Sequence, residues 1–341
     1  MTSQTTWTLE KLLTQSKPTI VCRTTADKPT KSPKWPRLGD RIKRWETFNI
    51  ETLKEKYGDL LKASLPANFT IPQASEQLSN ISINQEDDIN TIIGWNVAVL
   101  EPALELGRSR LGLAPGLHLE HVHENPRIPN AHAQTKVNHL INLIGSPSRI
   151  LVVGLGTTSL KFQGGALAKA IEQSTTSGAS KHQNPVMQLA HACRLANTRY
   201  GYIQTNNEVV ACRFSCAEGV WAAEVMEIPM VLSGSGVMTT ELAVWWMAMM
   251  AMPRSEDSVI LLQKEAPRRD ESVSAGDNVP NNDQQPSVAH PEVNLSCFGG
   301  TYDPNSEFAN GMYLGDPLNS QQVEFDESQG DSSYNPHQSE Q

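Results

Sequence analysis

The stretch from Ser148 to Phe214 constrains this chain more than any other, because two strand-like blocks frame a helix-like one. It opens SPSRILVVGLG, an apolar run from Ile150 to Val153 that leads into glycines, and it closes RYGYIQTNNEVVACRF. The closing block reads as two strands, 200–205 and 208–214, around the turn dipeptide Asn206-Asn207. Between the blocks, PVMQLAHACRLANT (185–198) starts with proline in its first turn and sets Val186, Leu189, Ala190 and Cys193 at helical spacing. Strand, helix, hairpin is the organisation this dictates, and it predicts an α/β fold.

The flanking chain supplies further elements. An apolar stripe of Leu53, Tyr57, Leu60 and Leu61 predicts a helix within 50–65. Residues 89–106 (INTIIGWNVAVLEPALEL) read as an amphipathic helix that Pro102 is expected to kink or restart. LHLEHVHE (117–124) and KVNHLINL (136–143) alternate as strands, the first expected to face the surface. The nearly all-apolar 150–155 should lie centrally in the sheet. VWAAEVMEI (220–228) and SVILLQ (258–263) read as later strands, and 239–252 as a helix rich in Trp and Met. At about half the ~20 residues that a membrane span needs, AVWWMAMMAM (243–252) is a buried helix, and no membrane association is expected.

Several clusters invite a chemical reading, and the residue types weaken each. Glu101 and Glu105 stand four apart on one helical face, which is the ordinary spacing of a solvated face. In LHLEHVHE no single strand face collects three ligands, so zinc is not expected there. The run GLGTTSLKFQGG (154–165) follows a strand, as phosphate-cradling glycines do, but Ser159 stands at the third glycine of the dinucleotide fingerprint. The Gly-Lys-Ser/Thr order of a phosphate loop is also missing. Cys22, Cys193, Cys212, Cys216 and Cys297 are odd in number and scattered, which predicts reduced thiols and an intracellular protein, cytoplasmic or nuclear.

Charge divides the chain into three. From Glu265 onward there are 14 acidic residues against 2 basic ones, so the formal charge of -9 belongs to the tail. That tail, 265–341, has few apolar residues to offset its ordering entropy and is expected to be disordered. Residues 1–62 are expected to form a polar, basic N-terminal arm with one helix, since nine Lys or Arg face only Asp27 and Asp40 between Lys17 and Arg44. The folded α/β domain is expected at 63–264.

The order helix (Glu101), strand (His118), strand (Asn138), central strand (Ile150), helix (Gln188), strand (Tyr200), strand (Val209) resembles the common core of the PD-(D/E)xK nuclease superfamily. It is similar in particular to fungal proteins that carry nuclease-like domains of this kind. The helix glutamine of PVMQLA, followed by RYGYIQTNNEVVACRF, carries most of the likeness, which covers roughly 89–263. The resemblance implies a restriction-endonuclease-like core, a central mixed sheet flanked by helices, with disordered tails. It also implies that an Asp on the second strand and a Glu-x-Lys on the third hold Mg²⁺, with a helix Glu in support.

Here the second strand offers Asn138, and the third reads Val153-Gly154-Leu155-Gly156-Thr157. Glu101 and Gln188 match the supporting positions, and Lys161 follows in the next loop, so Glu101, Asn138, Lys161 and Gln188 are the candidate cleft residues. The expectation is a degenerate site with no resident cofactor, acting by binding nucleic acid weakly or a protein partner. One alternative is an active Mg²⁺ nuclease that uses migrated Glu101, Glu120 and Lys161. Another is a structural interaction module that exposes its Trp/Met helix.

Overall fold

The structure, a computed structural model, describes residues 7–24, 31–66, 69–110, 118–124, 126–129, 131, 135–145, 148–172 and 179–252. The chain divides into units 1–300 and 301–341, and the second lies wholly outside the described residues. So do the strand expected at 258–263 and the tail expected to be disordered at 265–341.

Local chemistry starts the helices. Helix α1 (Leu9–Leu13) is capped by Thr8, whose side chain accepts from Lys11 N. After the two-residue strand β1 (Val21–Cys22) and strand β2 (Ile42–Arg44), helix α2 (Ile50–Leu61) begins at Asn49, which accepts from Thr52 N at 2.9 Å. A short helix α3 (Ala74–Gln77) leads to β3 (Ser82–Ile83), which pairs in parallel with β1.

Helix α4 (Ile89–Arg110) is preceded by a 3-10 turn, Glu86–Asp88, in which Asp88 accepts from Asn84 N and Gln85 N. Helix α4 continues through Pro102, so it does not restart there. A proline inside a helix removes one hydrogen bond and costs about 3 kcal/mol. Burial of Ile92, Ile93, Trp95, Val99, Leu100, Ala103 and Leu104 along the same helix outweighs it.

Strands β4 (His118–Val122), β5 (His139–Ile144) and β6 (Arg149–Gly156) form an antiparallel meander. Helices α5 (Gly164–Glu172) and α6 (Ala179–Leu195) then cross over to β7 (Tyr200–Gln204), which runs parallel to β6. Helix α6 begins six residues before Pro185, so the proline lies inside it and not in its first turn. Strands β8 (Glu208–Ala217) and β9 (Val220–Pro229) complete two antiparallel hairpins. Glu218 and Gly219 close the second with φ of 51° and 79°, the backbone that a two-residue primed turn demands. The seven-stranded sheet is ordered β2-β9-β8-β7-β6-β5-β4, with β2 parallel to β9, so the expected α/β class with a central mixed sheet holds.

Alternation along the strands splits the core in two. Ile141, Leu143, Val152, Tyr202, Val209 and Ala211 face α1, α2, α4 and the last helix, α7 (Thr240–Ala251). Leu140, Val153, Leu155, Ile203 and Val210 face α5 and α6. Every residue of α7 from Thr240 to Met249 is buried, as an all-round apolar sequence requires. The exposed Trp/Met helix of the interaction-module alternative is therefore corrected: Trp246 stacks on Phe48 at 4.3 Å, and Phe48 on Trp45 at 4.3 Å. No helix among the described residues is long and apolar enough to cross a membrane.

The N-terminal expectation needs a larger correction. Residues 7–24 and 31–62 are no solvated arm: Leu9, Leu12, Leu13, Ile20, Leu38, Trp45, Phe48 and Leu53 are core residues, and β2 is an edge of the main sheet. The basic count misleads because Lys17 is itself buried. Its Nζ lies 2.6 Å from Glu241 Oε2, with both side chains at most 2% exposed. Trp95 Nε1 and Thr240 Oγ1 also donate to the Glu241 carboxylate, at 3.0 Å each. A buried ion pair stands only when its remaining hydrogen-bonding capacity is met, and here three donors meet it.

Removing one partner strands the other charge in the core. Lys17→Met should therefore lower unfolding free energy by about 3–5 kcal/mol in urea denaturation, and Glu241→Gln should also destabilise. A Lys17→Met loss below about 1 kcal/mol would show that the pair is not needed to seat the N-terminal segment.

Candidate functional site

Two of the candidate residues, Asn138 and Lys161, lie where β5 starts beside the end of β6, near the N-terminus of α4. Asn138 is 4% exposed, and its amide is fully engaged: Oδ1 accepts from Gly156 N at 2.7 Å and Nδ2 donates to Asn90 Oδ1 at 2.8 Å. Beside it, the turn before α4 presents Glu86. Lys161 Nζ lies 3.0 Å from Glu86 Oε2, Lys136 Nζ lies 3.5 Å from the same oxygen, and Thr157 Oγ1 donates to Oε1 at 3.2 Å. Lys136 also reaches Asp87 at 3.4 Å.

Of the four candidates, the structure brings Asn138 and Lys161 to one neighbourhood, and it separates Glu101 and Gln188. Glu101 lines a different pocket, of about 590 Å³, with Phe69, Pro102, Glu105, His118 and Leu119. There Arg108 donates to Glu105, and that hydrogen bond first of all holds the Glu105 carboxyl below its usual range. Gln188 is half-buried on α6, which packs on the opposite face of the sheet from α4, so its assignment to the same cleft is corrected. Glu120 of the migrated constellation accepts from Asn142 Nδ2 at 3.2 Å. Glu86 was not singled out in the sequence, although an acidic turn directly before a long helix is a helix-dipole signal that points to it.

The first glycines of the run belong to the strand. Gly154 and Gly156 are in β6, not in a phosphate-cradling loop, and they face α4. A Cβ at Gly154 would sit 2.7 Å from Tyr202 Cζ and Oη and 2.9 Å from His139 Cβ. One at Gly156 would meet Asn138 Cγ at 3.0 Å and crowd Ile89 still more. Each glycine is thus required by a side chain that fills its place.

Through the opening at Gly154 a buried polar chain crosses β6. Tyr202 Oη on β7 and His139 Nδ1 on β5 are 2.6 Å apart, and His139 Nε2 lies 3.1 Å from His121 Nδ1 on β4. On the α4 side, Asn96 Nδ2 donates to Gln204 Oε1 at 2.8 Å, and Gln204 Nε2 donates to Thr205 O at 2.7 Å. Burial holds His121 down to about 4, and it holds His139 well below its usual value. Burial also raises Tyr202. All three are neutral near pH 7. The strand expected to face the surface therefore turns His121 inward.

The resemblance implies Mg²⁺, and the donors present do not fit it. A hard divalent cation wants several anionic oxygens. This corner offers the Glu86 carboxylate, already facing two ammonium groups, and an Asn138 amide whose oxygen is spent on the backbone. Among the described residues, no three His, Cys, Asp or Glu are disposed to hold a metal. Cys22, Cys193 and Cys212 are free thiols, but Cys216 is disulfide-bonded, so the expectation of reduced thiols fails there. Comparison with known proteins finds no matching family model, no matching curated protein and no matching solved structure.

Two glycines of the same run should respond oppositely to alanine. Gly154→Ala overpacks the Tyr202–His139 contact and should cost about 1–3 kcal/mol. Gly165→Ala, with nothing within 4 Å of its Cβ and a place in α5, should be neutral or stabilise by up to about 1 kcal/mol. Paired thermal and urea unfolding curves check this, and equal effects would remove the close-packing explanation for Gly154.

Proposed function

We propose that this chain is a nuclease-like α/β domain with a degenerate site, acting inside the cell by binding and not by cleavage. The order α4-β4-β5-β6-α5-α6-β7 supports the nuclease-like reading, with its antiparallel meander followed by a helical crossover to a parallel strand. One observation carries the degenerate reading. At the end of β6, where the resemblance calls for Glu-x-Lys, the sequence is Gly-Leu-Gly, and the places of the missing side chains are taken by Tyr202, His139, Ile89 and Asn138. The metal-binding strand positions lack both the carboxylate and the room for one.

Binding falls to the exposed basic residues of the surface segment before and in β2: Lys31, Lys34, Arg37, Arg41, Lys43 and Arg44, with only Asp40 opposing them over 31–44. Arg44 is shared with Glu172 and Glu227. This patch suits phosphates held by charge alone, so nucleic acid is the partner class, bound weakly and without base reading.

The purified full chain should cleave neither DNA nor RNA with Mg²⁺ or Mn²⁺. Mg²⁺ should leave the melting temperature unchanged: a site weaker than about 10 mM adds under ~0.1 kcal/mol at 1 mM metal. Binding of a fluorescent single-stranded oligonucleotide should fall steeply with salt and weaken further in Lys34→Glu and Lys43→Glu. Metal-dependent cleavage lost in Glu86→Gln or Lys161→Ala would overturn the degenerate reading and restore an active nuclease.

A further inference from the structure

The His121–His139–Tyr202 chain has no part in that binding surface, yet it joins three strands inside the protein. Strand β4 is five residues long, stands at the end of the sheet, and is hydrogen-bonded among the described strands only to β5. Inward it presents Leu119, packed against the α4-side core, and the ring of His121, stacked on His139 with centroids 5.3 Å apart. His139 and Tyr202 are fully buried, whereas His121 lies at the outer end, with its Nε2 buried and without a hydrogen-bond partner among the described residues.

One hydrogen lies between His121 Nδ1 and His139 Nε2 and one between His139 Nδ1 and Tyr202 Oη, and the Tyr202 hydroxyl can accept as well as donate. A single added proton therefore keeps these hydrogen bonds but puts an imidazolium where burial opposes charge, and a proton on each ring sets two N–H donors face to face across the His–His gap.

The surroundings give little compensation for the added charge. His123 lies at the outer end of β4, and it opposes protonation of both rings after burial has done so. Tyr202 faces the pair from β7 and Asn96 from α4, and β6 contributes only Gly154. The α4 carboxylates nearest β4 are Glu101 and Glu105, in the pocket that His118 and Leu119 line, and Glu105 is held by Arg108. On β4 itself Glu120 is engaged by Asn142.

We propose that the His121–His139–Tyr202 chain is an acid-sensitive clasp on the edge strand β4, and that acidification releases β4 from β5 while β6 to β9 stay folded. The sign follows from linkage. A released histidine takes up protons at its ordinary value near 6.5, and the clasped one only near 4, so the released form binds more protons between those limits. Clasping is complete above 6.5 and is progressively lost as pH falls below it. Each unit below 6.5 favours release by up to about tenfold per histidine.

Amide hydrogen exchange on the full chain, corrected for the intrinsic pH dependence of exchange, tests this at pH 7.5 and pH 5. Protection over 118–122 should fall by about 30-fold or more relative to β8 and β9. His121→Phe keeps a ring against His139 but cannot titrate, and its relative protection should be flat across the same range. His123→Gln, at a half-exposed position, removes the like charge and should move release to lower pH. Equal loss in β4, β8 and β9, no loss in β4, a His121→Phe response like the parent's, or release in His123→Gln at an unchanged or higher pH would each overturn the clasp.

Discussion

Strand β6 carries no side chain at 154 or 156 on its face toward α4, and that face is arranged around the two gaps. Ile89 and Asn138 close over Gly156, which seats the first turn of α4 on the sheet and draws the Asn138 amide onto the β6 backbone. Tyr202 and His139 close over Gly154 and hydrogen-bond across a strand that would otherwise separate them. A close-packed interior has no slack for a methyl group at such a point, so the glycines and their four neighbours are one unit. The packing that unites β5, β6, β7 and α4 is also what leaves no place for a carboxylate and a lysine on β6.

Buried polar groups specify how the remaining segments attach. Lys17 reaches Glu241, 224 residues away, and Trp95 joins them, so one carboxylate ties the segment after α1 to α4 and α7. Asn206 works similarly in the first hairpin: its Oδ1 accepts from Ser159 N and its Nδ2 donates to Ile20 O. Each of these groups would be costly to bury alone, and that cost makes the satisfied arrangement unique.

The fold class was legible because it rests on periodicities that survive in any context. Alternation in 136–143, the apolar run at 150–155 and the helical spacing in 185–198 gave strand, strand and helix where β5, β6 and α6 stand. The dipeptide Asn206-Asn207 marked a real hairpin for a different reason from the one its residue types suggest. Neither asparagine has positive φ; Thr205 Oγ1 accepts from Asn207 N and Glu208 N, and Asn206 is buried. Of the four residues read as one cleft, only Asn138 and Lys161 come together, and Glu86, the carboxylate that holds Lys161 there, lies more than fifty residues upstream of Asn138.

Sequence alone therefore determined the strand and helix periods, the crossover between β6 and β7, and the lack of a carboxylate on the end of β6, since these are properties of neighbouring residues. Only the tertiary structure decided that the N-terminal segment with Lys17 belongs to the core, that Gly154 and Gly156 are filled by neighbouring side chains, that Gln188 lies across the sheet from Asn138, and that His121 turns inward. In each of those cases the deciding partner is remote in the chain: Glu241 for Lys17, Tyr202 for Gly154, the α4 and α6 faces for Gln188, His139 for His121. A charge or a glycine takes its meaning from what it is packed against, and packing is not local in sequence.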